Sequence, residues 1–178
     1  MRVFSHGQMV ARYAGGNWIA ESLTHIDETV ERLAQKTECD LSLLRRVFRC
    51  AFLMSERNLG AIFILGDADT ILKKSDPPEI SPFATIVYTE ISKLSDNELI
   101  NFAKQDGATI VDSAEGRFRG CMVLLRPSAD TRAEIGIGKG ARHSSASKMS
   151  AEAHCLAITV SQDGPITVYD NGERVLTV

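Results

Sequence analysis

No apolar run in this sequence approaches the roughly 20 residues that a membrane span needs. The opening Met1-Arg2-Val3-Phe4-Ser5-His6-Gly7 lacks the long apolar core of a secretory signal. The chain therefore reads as cytoplasmic, or as the soluble part of something larger. Cysteine is scarce: there are four, and none is paired as C-x-x-C, so neither a zinc ribbon nor a thioredoxin-type site has support. Cys50, Cys121 and Cys155 sit among apolar neighbours and read as small buried hydrophobes in a reducing compartment. Positive charge is not in excess, with a net charge of -3 and a pI of about 5.8. That balance speaks against a broad basic face for nucleic acid and leaves room for a local phosphate pocket. Disorder is excluded by a 44% hydrophobic and 24% charged composition. The 178 residues suit one domain, at most with a small appendage.

Along the chain, Val3-Phe4 and Met9-Val10-Ala11 flank a turn at His6-Gly7 and predict a hairpin. Residues 19–35 carry Leu23, Ile26, Val30 and Leu33 at helical spacing. Asp40 is placed to cap a second helix with Leu41, Leu44, Val47, Phe48, Ala51 and Met54 on one face, stopped by Gly60. Ala61-Ile62-Phe63-Ile64-Leu65 has the pattern of a central strand buried on both faces. Residues 73–82 hold three of the five prolines and predict a loop. Residues 82–88 fit a strand or an irregular crossing, and the sequence does not choose between them. Ser95-Asp96-Asn97-Glu98 is a capping box opening a helix that breaks at Asp106-Gly107. Strands follow at 109–111 and 121–125, then a loop over 126–140 and a helix-compatible stretch at 144–154. The last strands, 156–160 and 166–169, surround Asp163-Gly164-Pro165, and Asn171-Gly172 marks a closing hairpin. Strands and helices are interspersed without strict alternation. The expected fold is α/β, a single domain with a central mixed sheet flanked by helices.

Three stretches carry chemistry. Gly136-Ile137-Gly138-Lys139-Gly140-Ala141-Arg142-His143-Ser144-Ser145 joins glycines, positive side chains and hydroxyls to a helix start. Backbone N–H groups, the helix dipole and these side chains would make a polyphosphate cradle; a flexible basic loop is the plain alternative. The pattern is not a Walker A loop, since G-x-x-x-x-G-K-S/T is absent. Asp106-Gly107-Ala108 sets a carboxylate at a helix-to-strand turn, suited to a divalent cation or a sugar hydroxyl, although Asp-Gly is also a common plain turn. Ser161-Gln162-Asp163 places polar groups at the end of a buried strand, where ligands of α/β sheets often lie.

Taken in order, Leu59-Gly60-Ala61-Ile62, Asp106-Gly107-Ala108, Gly120-Cys121-Met122-Val123, Gly140-Ala141-Arg142-His143-Ser144-Ser145 and Ile158-Thr159-Val160-Ser161 resemble the diadenylate cyclase domain. The resemblance covers residues 52–175, and divides the chain into an N-terminal hairpin and helix, 1–39, for assembly or regulation, and a cyclase-like domain, 40–178. It implies condensation of two ATP into cyclic di-AMP with release of pyrophosphate by two protomers face to face, with Mg²⁺ or Mn²⁺ as cofactor. It implies that Asp106 binds the metal and assists the attacking 3′-hydroxyl, with Arg142 and His143 as its catalytic companions. It further implies that Gly107 and Ala108 approach the nucleotide through backbone, that Met122 and Val123 form the adenine slot, and that Gly140, Arg142, His143, Ser144 and Ser145 hold the triphosphate with Ser161 nearby.

Three positions depart from the family pattern of Gly-Thr-Arg-His-Arg and a strand-end Ser-Glu: Ala141, Ser144 and Gln162. The cradle has one hydroxyl and one fixed charge fewer, and a carboxylate has become an amide. A non-catalytic module binding ATP or cyclic di-AMP is therefore the alternative function. An NAD-binding enzyme built on Gly136-Ile137-Gly138 is a further rival, disfavoured because no buried strand precedes it.

Overall fold

The structure is a computed structural model. It describes residues 2–5, 8–14, 17–20, 23–37, 39–77, 87–133 and 140–178, with side chains from residue 27 onward. A seven-stranded mixed sheet carries the fold. Its strands are β4 (Ala61–Gly66), β5 (Ser75–Asp76), β6 (Ala108–Asp112), β7 (Arg117–Leu125), β8 (Leu156–Val160), β9 (Ile166–Asp170) and β10 (Glu173–Thr177). Their order is β10-β9-β8-β4-β6-β7-β5, with β4 and β6 parallel and every other pair antiparallel. The apolar run predicted as a central strand lies mid-sheet, and Ala61 to Leu65 are all buried.

Alternation along these strands splits the core in two. Phe63, Leu65, Ile158 and Val168 face α1 (Leu23–Lys36), α2 (Leu41–Glu56) and α4 (Asp96–Ala103). Ile62, Ile64, Ala157 and Tyr169 face α3 (Ala68–Lys73) and α5 (Ala141–Ala153). Helix α2 starts where Asp40 accepts from the Leu43 N–H at 2.9 Å. In α4 the capping box is complete: Ser95 Oγ accepts from Glu98 N–H at 3.2 Å, and Glu98 accepts from Ser95 N–H at 2.8 Å. The Asn171-Gly172 turn joins β9 to β10 with both residues at positive φ. Burial pushes all four thiols up, Cys39 and Cys121 to about 11 and Cys50 and Cys155 to about 12. They are inert packing groups.

The N-terminal hairpin is present, with β1 (Arg2–Ser5) paired to β2 (Gln8–Ala14). A third strand, β3 (Asn17–Ala20), extends it, where the periodicity predicted helix from residue 19. Cross-strand pairing of Ile19 with Arg12 and of Ala20 with Ala11 takes residues 19–20 out of the expected helix, and β-branched Ile19 suits a strand. Helix α2 ends at Glu56, short of Gly60, because Asn58 already turns to φ 54°. Helix α3 had no sequence counterpart; Asp67 caps it by accepting from Asp69 and Thr70 N–H groups. The loop expected over 73–82 contributes the two-residue edge strand β5 against β7. Residues 78–86, which include most of the undecided stretch, lie outside the described residues. Among the described residues no helix is long and apolar enough to cross a membrane.

Candidate active site

Helix α5 begins at Ala141, three residues before the sequence suggested, so Arg142 and His143 ride on its first turn. Gly140 is the N-cap and offers no capping side chain. Its carbonyl accepts from His143 N–H at 3.1 Å and Ser144 N–H at 3.2 Å. The positive end of a 13-residue helix thus opens onto a cleft of about 620 Å³. The cleft is walled by α5's first turn and by Ser161, Gln162 and Pro165 at the β8–β9 end.

The Arg142 guanidinium occupies space that only a glycine leaves open. A Cβ at Gly60 would lie 2.1 Å from Arg142 Nη1 and 3.2 Å from Gln162 Cγ. From there Arg142 Nη2 reaches to 3.9 Å from Asp106 Oδ1. The Asp106 carboxylate is 99% exposed, so this pair is weak and the carboxylate stays open to a ligand.

Behind Asp106, Gly107 has φ +102°, and a Cβ there would meet the Met122 carbonyl carbon at 2.7 Å and Val123 N at 2.9 Å. Only glycine combines that conformation with so close an approach of two backbones. The neighbouring strand is irregular to match: the β6–β7 register shifts between Ala108 and Ile110, and Met122 itself has φ 60°. Met122 is half-buried, whereas Ala108 and Val123 point into the core. Of the expected adenine slot, Met122 offers a side chain and Val123 only backbone; Ala108, expected to approach through backbone, likewise turns its side chain into the core.

His143 is buried, and its ring is held on both sides. Nε2 lies 3.0 Å from Ser161 Oγ; Nδ1 lies 2.9 Å from Tyr169 Oη and 3.0 Å from Thr159 Oγ1. Ser145 donates back to the Ala141 and Arg142 carbonyls at 3.0 and 3.2 Å, so its proton serves the helix. The expected residues form two groups: Gly140, Arg142, His143 and Ser161 at the cleft, and Asp106, Gly107 and Met122 on the adjoining β6–β7 rim, joined by the Arg142–Asp106 approach. The remaining glycines and the lysine of the Gly-rich stretch, within 134–139, lie outside the described residues. Thr159 and Tyr169 were missed. For Thr159 the signal is a hydroxyl in a strand otherwise wholly apolar, which needs a buried partner; Tyr169 lies in β9, which also holds Thr167 and Asp170, and has no such signal.

The family model described as "DisA bacterial checkpoint controller nucleotide-binding" matches residues 49–174, most of the chain. The chain belongs to this family. Diadenylate cyclase of Haloferax volcanii is 28% identical over 152 residues, 82% of this chain and 56% of that protein. Diadenylate cyclase of Methanocaldococcus jannaschii is 33% identical over 121 residues, 66% of this chain and 37% of that protein. The chain thus spans about half or less of the length of these two relatives. A double mutant of DacA from Staphylococcus aureus shares the fold with a TM-score of 0.55 at 19% identity, covering 75% of this chain and 85% of that one. A hypothetical membrane spanning protein from Bacillus cereus gives 0.59 at 17%, covering 88% and 78%. Family membership and fold agree with the mixed sheet and with the motifs that meet at the α5 N-terminus.

Proposed function

We propose that this chain condenses two ATP into cyclic di-AMP, releasing two pyrophosphates. The observation that carries the reading is the meeting of Arg142, the N-terminus of α5 and the open Asp106 carboxylate, brought together from separate motifs of a family whose curated relatives are named diadenylate cyclase. In each half-reaction a ribose 3′-oxygen attacks an α-phosphorus, the P–O bond to pyrophosphate breaks, and the 3′-proton leaves. Arg142 and the α5 N–H groups would bear the charge on the departing pyrophosphate, and Asp106 would orient the hydroxyl and receive its proton. Gly140, Ser144 and Ser145 border the triphosphate, and Met122 with the Gly107–Ala108 and Val123 backbone borders adenine.

Among the described residues no three acidic, histidine or cysteine side chains gather as a metal cage. A single carboxylate supplemented by phosphate oxygens does suit Mg²⁺ or Mn²⁺ arriving with ATP, and Asp106 is the residue to hold it. Bound there, the cation would lower the pKa of the hydroxyl and neutralise phosphate charge. One site holds one ATP, so two protomers face each other, and residues 1–39 serve assembly or regulation. ATP as substrate and four unpaired thiols suit a cytoplasmic setting. The test is incubation of the purified chain with ATP and Mg²⁺ or Mn²⁺, with products identified by mass and ATP binding measured separately. Cyclic di-AMP is the expected product. Binding without product would replace the enzyme by a nucleotide-binding module.

A further inference from the structure

The helix that carries Arg142 is held to the sheet by little apolar surface. Its buried residues are His143, Ala146, Ser147, Met149, Ser150 and Ala153, and Met149 is the one large apolar side chain among them. Alanine and serine present no tall ridges, so packing alone says little about where α5 stands along its own axis. Directional contacts do. Ser147 and Ser150, both fully buried, face the Asn171-Gly172 turn from neighbouring turns of the helix. Ser147 Oγ donates to the Gly172 carbonyl at 3.0 Å, and the Gly172 N–H donates to Ser150 Oγ at 2.9 Å. Ser150 in turn donates to the Ser147 carbonyl at 2.8 Å. Backbone groups fix these directions, because a carbonyl can only accept and an amide N–H can only donate. The approach is close: a Cβ at position 172 would lie 2.9 Å from Ala151 Cβ. One helix thus binds both polar backbone groups of one turn residue. A slide of α5 along its axis would break both bonds inside the protein, where an unsatisfied group is costly.

Arg142 stands five residues before Ser147 and eight before Ser150, roughly 7.5 and 12 Å along a stiff helix. Its guanidinium has little room. A Cβ at Gly60 would lie 2.1 Å from Nη1, and Asp106 Oδ1 lies 3.9 Å from Nη2. We infer that Ser147 and Ser150 are positioning residues, which grip the carbonyl and amide of Gly172, set the axial station of α5 and so hold Arg142 at the cleft. On the nucleotide reading, on which only this last consequence rests, they strengthen the hold on the triphosphate without touching it.

The first measurement needs no nucleotide. The ¹H–¹⁵N signal of the Arg142 side-chain Nε–H, assigned by its loss in Arg142→Lys, should move in Ser147→Ala and in Ser150→Ala. Hydrogen exchange at the Gly172 amide should speed up in Ser150→Ala; unchanged exchange overturns the grip on Gly172. Val47→Ala truncates the core in α2, on the other face of the sheet, and lowers stability without touching α5, so its Arg142 signal should stay. An Arg142 signal unmoved by both serine variants, or moved as much by Val47→Ala, overturns the proposal. Should Ser150→Ala not fold, Ser150→Cys, close in size and a poor acceptor, takes its place with the same expectations. At a temperature where the variant is fully folded, ATP and inorganic triphosphate affinity should each fall about fivefold in Ser150→Ala, and adenosine affinity little. Equal losses for adenosine and triphosphate overturn an action through the phosphate contacts. In the Arg142→Ala background Ser150→Ala should cost ATP nothing further, and full additivity of the two changes overturns positioning through Arg142. If wild type binds neither ATP nor triphosphate while the Arg142 signal answers to the serines as expected, the nucleotide reading fails and the hold of the serines on α5 stands.

Discussion

Replacing Gly60 by alanine should disable Arg142 without touching it. The added Cβ would sit 2.1 Å from Arg142 Nη1, whereas non-bonded atoms rest at about 3.5 Å, so the guanidinium must move roughly 1.4 Å. The obstacle is the tip of an exposed side chain, so that tip gives way and the backbone does not. Gly60 shows no positive φ, and an alanine there should stabilise the chain by about 0.4–1 kcal/mol through the unfolded state. For a domain of this size that is a rise in Tm of about 1–4 °C. A charge-assisted contact is worth about 1.5–3 kcal/mol, and displacement by more than an ångström forfeits much of it. ATP affinity should therefore fall about tenfold while thermal stability holds or rises. Calorimetric titration of ATP beside thermal unfolding reads both quantities. A double-mutant cycle sharpens the result: in the Arg142→Ala background, Gly60→Ala should cost nothing further. Undiminished affinity in Gly60→Ala, or full additivity of the two changes, refutes the claim that the bare Gly60 position exists to seat Arg142.

Asp106→Asn should abolish product while leaving ATP binding largely intact, because the amide keeps the shape and loses the charge; turnover assayed beside binding reads this, and undiminished turnover would remove Asp106 from its role. Arg142→Ala should weaken ATP by tenfold or more and adenosine little; equal losses in the two titrations would assign it to folding. Thr167→Val should be neutral or stabilising by about 1 kcal/mol in denaturant unfolding, since the Thr167 hydroxyl is buried without a hydrogen-bond partner among the described residues. The buried thiols predict alkaline sensitivity. Their pKa values rise from the ordinary 9 to about 11–12 on folding, so their contribution to stability is fully present below pH 9 and is lost as pH climbs toward 12. Denaturant midpoints measured from pH 8 to 11 should fall, and iodoacetamide at pH 8 should label only the unfolded chain.

What the sequence revealed was whatever is encoded over a few consecutive residues. The Asp40 cap, the Ser95–Glu98 box, the apolar run at 61–65 and the Asn171-Gly172 turn each declare themselves locally, and each stands where expected. Features set by partners did not. Residues 19–20 have apolar spacing that fits a helix until β2 pairs with them. Helix α3 is one and a half turns long, too short for a period to show, and β5 is two residues that exist only against β7. The start of α5 was misplaced because Gly140 caps with backbone alone and leaves no side-chain signature. In the site, Asp106 and Arg142 were legible as motif residues. That Arg142 lies over Gly60, and that His143 is occupied by Tyr169, Thr159 and Ser161, depends on β4, β8 and β9 lying side by side, which no local pattern encodes.

The departures from the family pattern make physical sense together where they do not singly. The pattern that the sequence resembles carries two arginines on the first turn of α5 and a glutamate after the strand-end serine; here Ser144 and Gln162 replace one of each sign. One positive and one negative charge vanish together, and the balance of the cleft is preserved. Their positions show why the second loss eases the first. Gln162 and Arg142 crowd the same spot above Gly60. A glutamate at 162 would compete with phosphate for the guanidinium of Arg142, as two arginines would permit and one would not. With a neutral amide there, the acidic neighbour of Arg142 among the described residues is Asp106, 3.9 Å away and open to water, where ion pairing is worth less than about 1 kcal/mol. Arg142 thus keeps its charge available to a ligand, added to the roughly half-charge that the α5 terminus contributes.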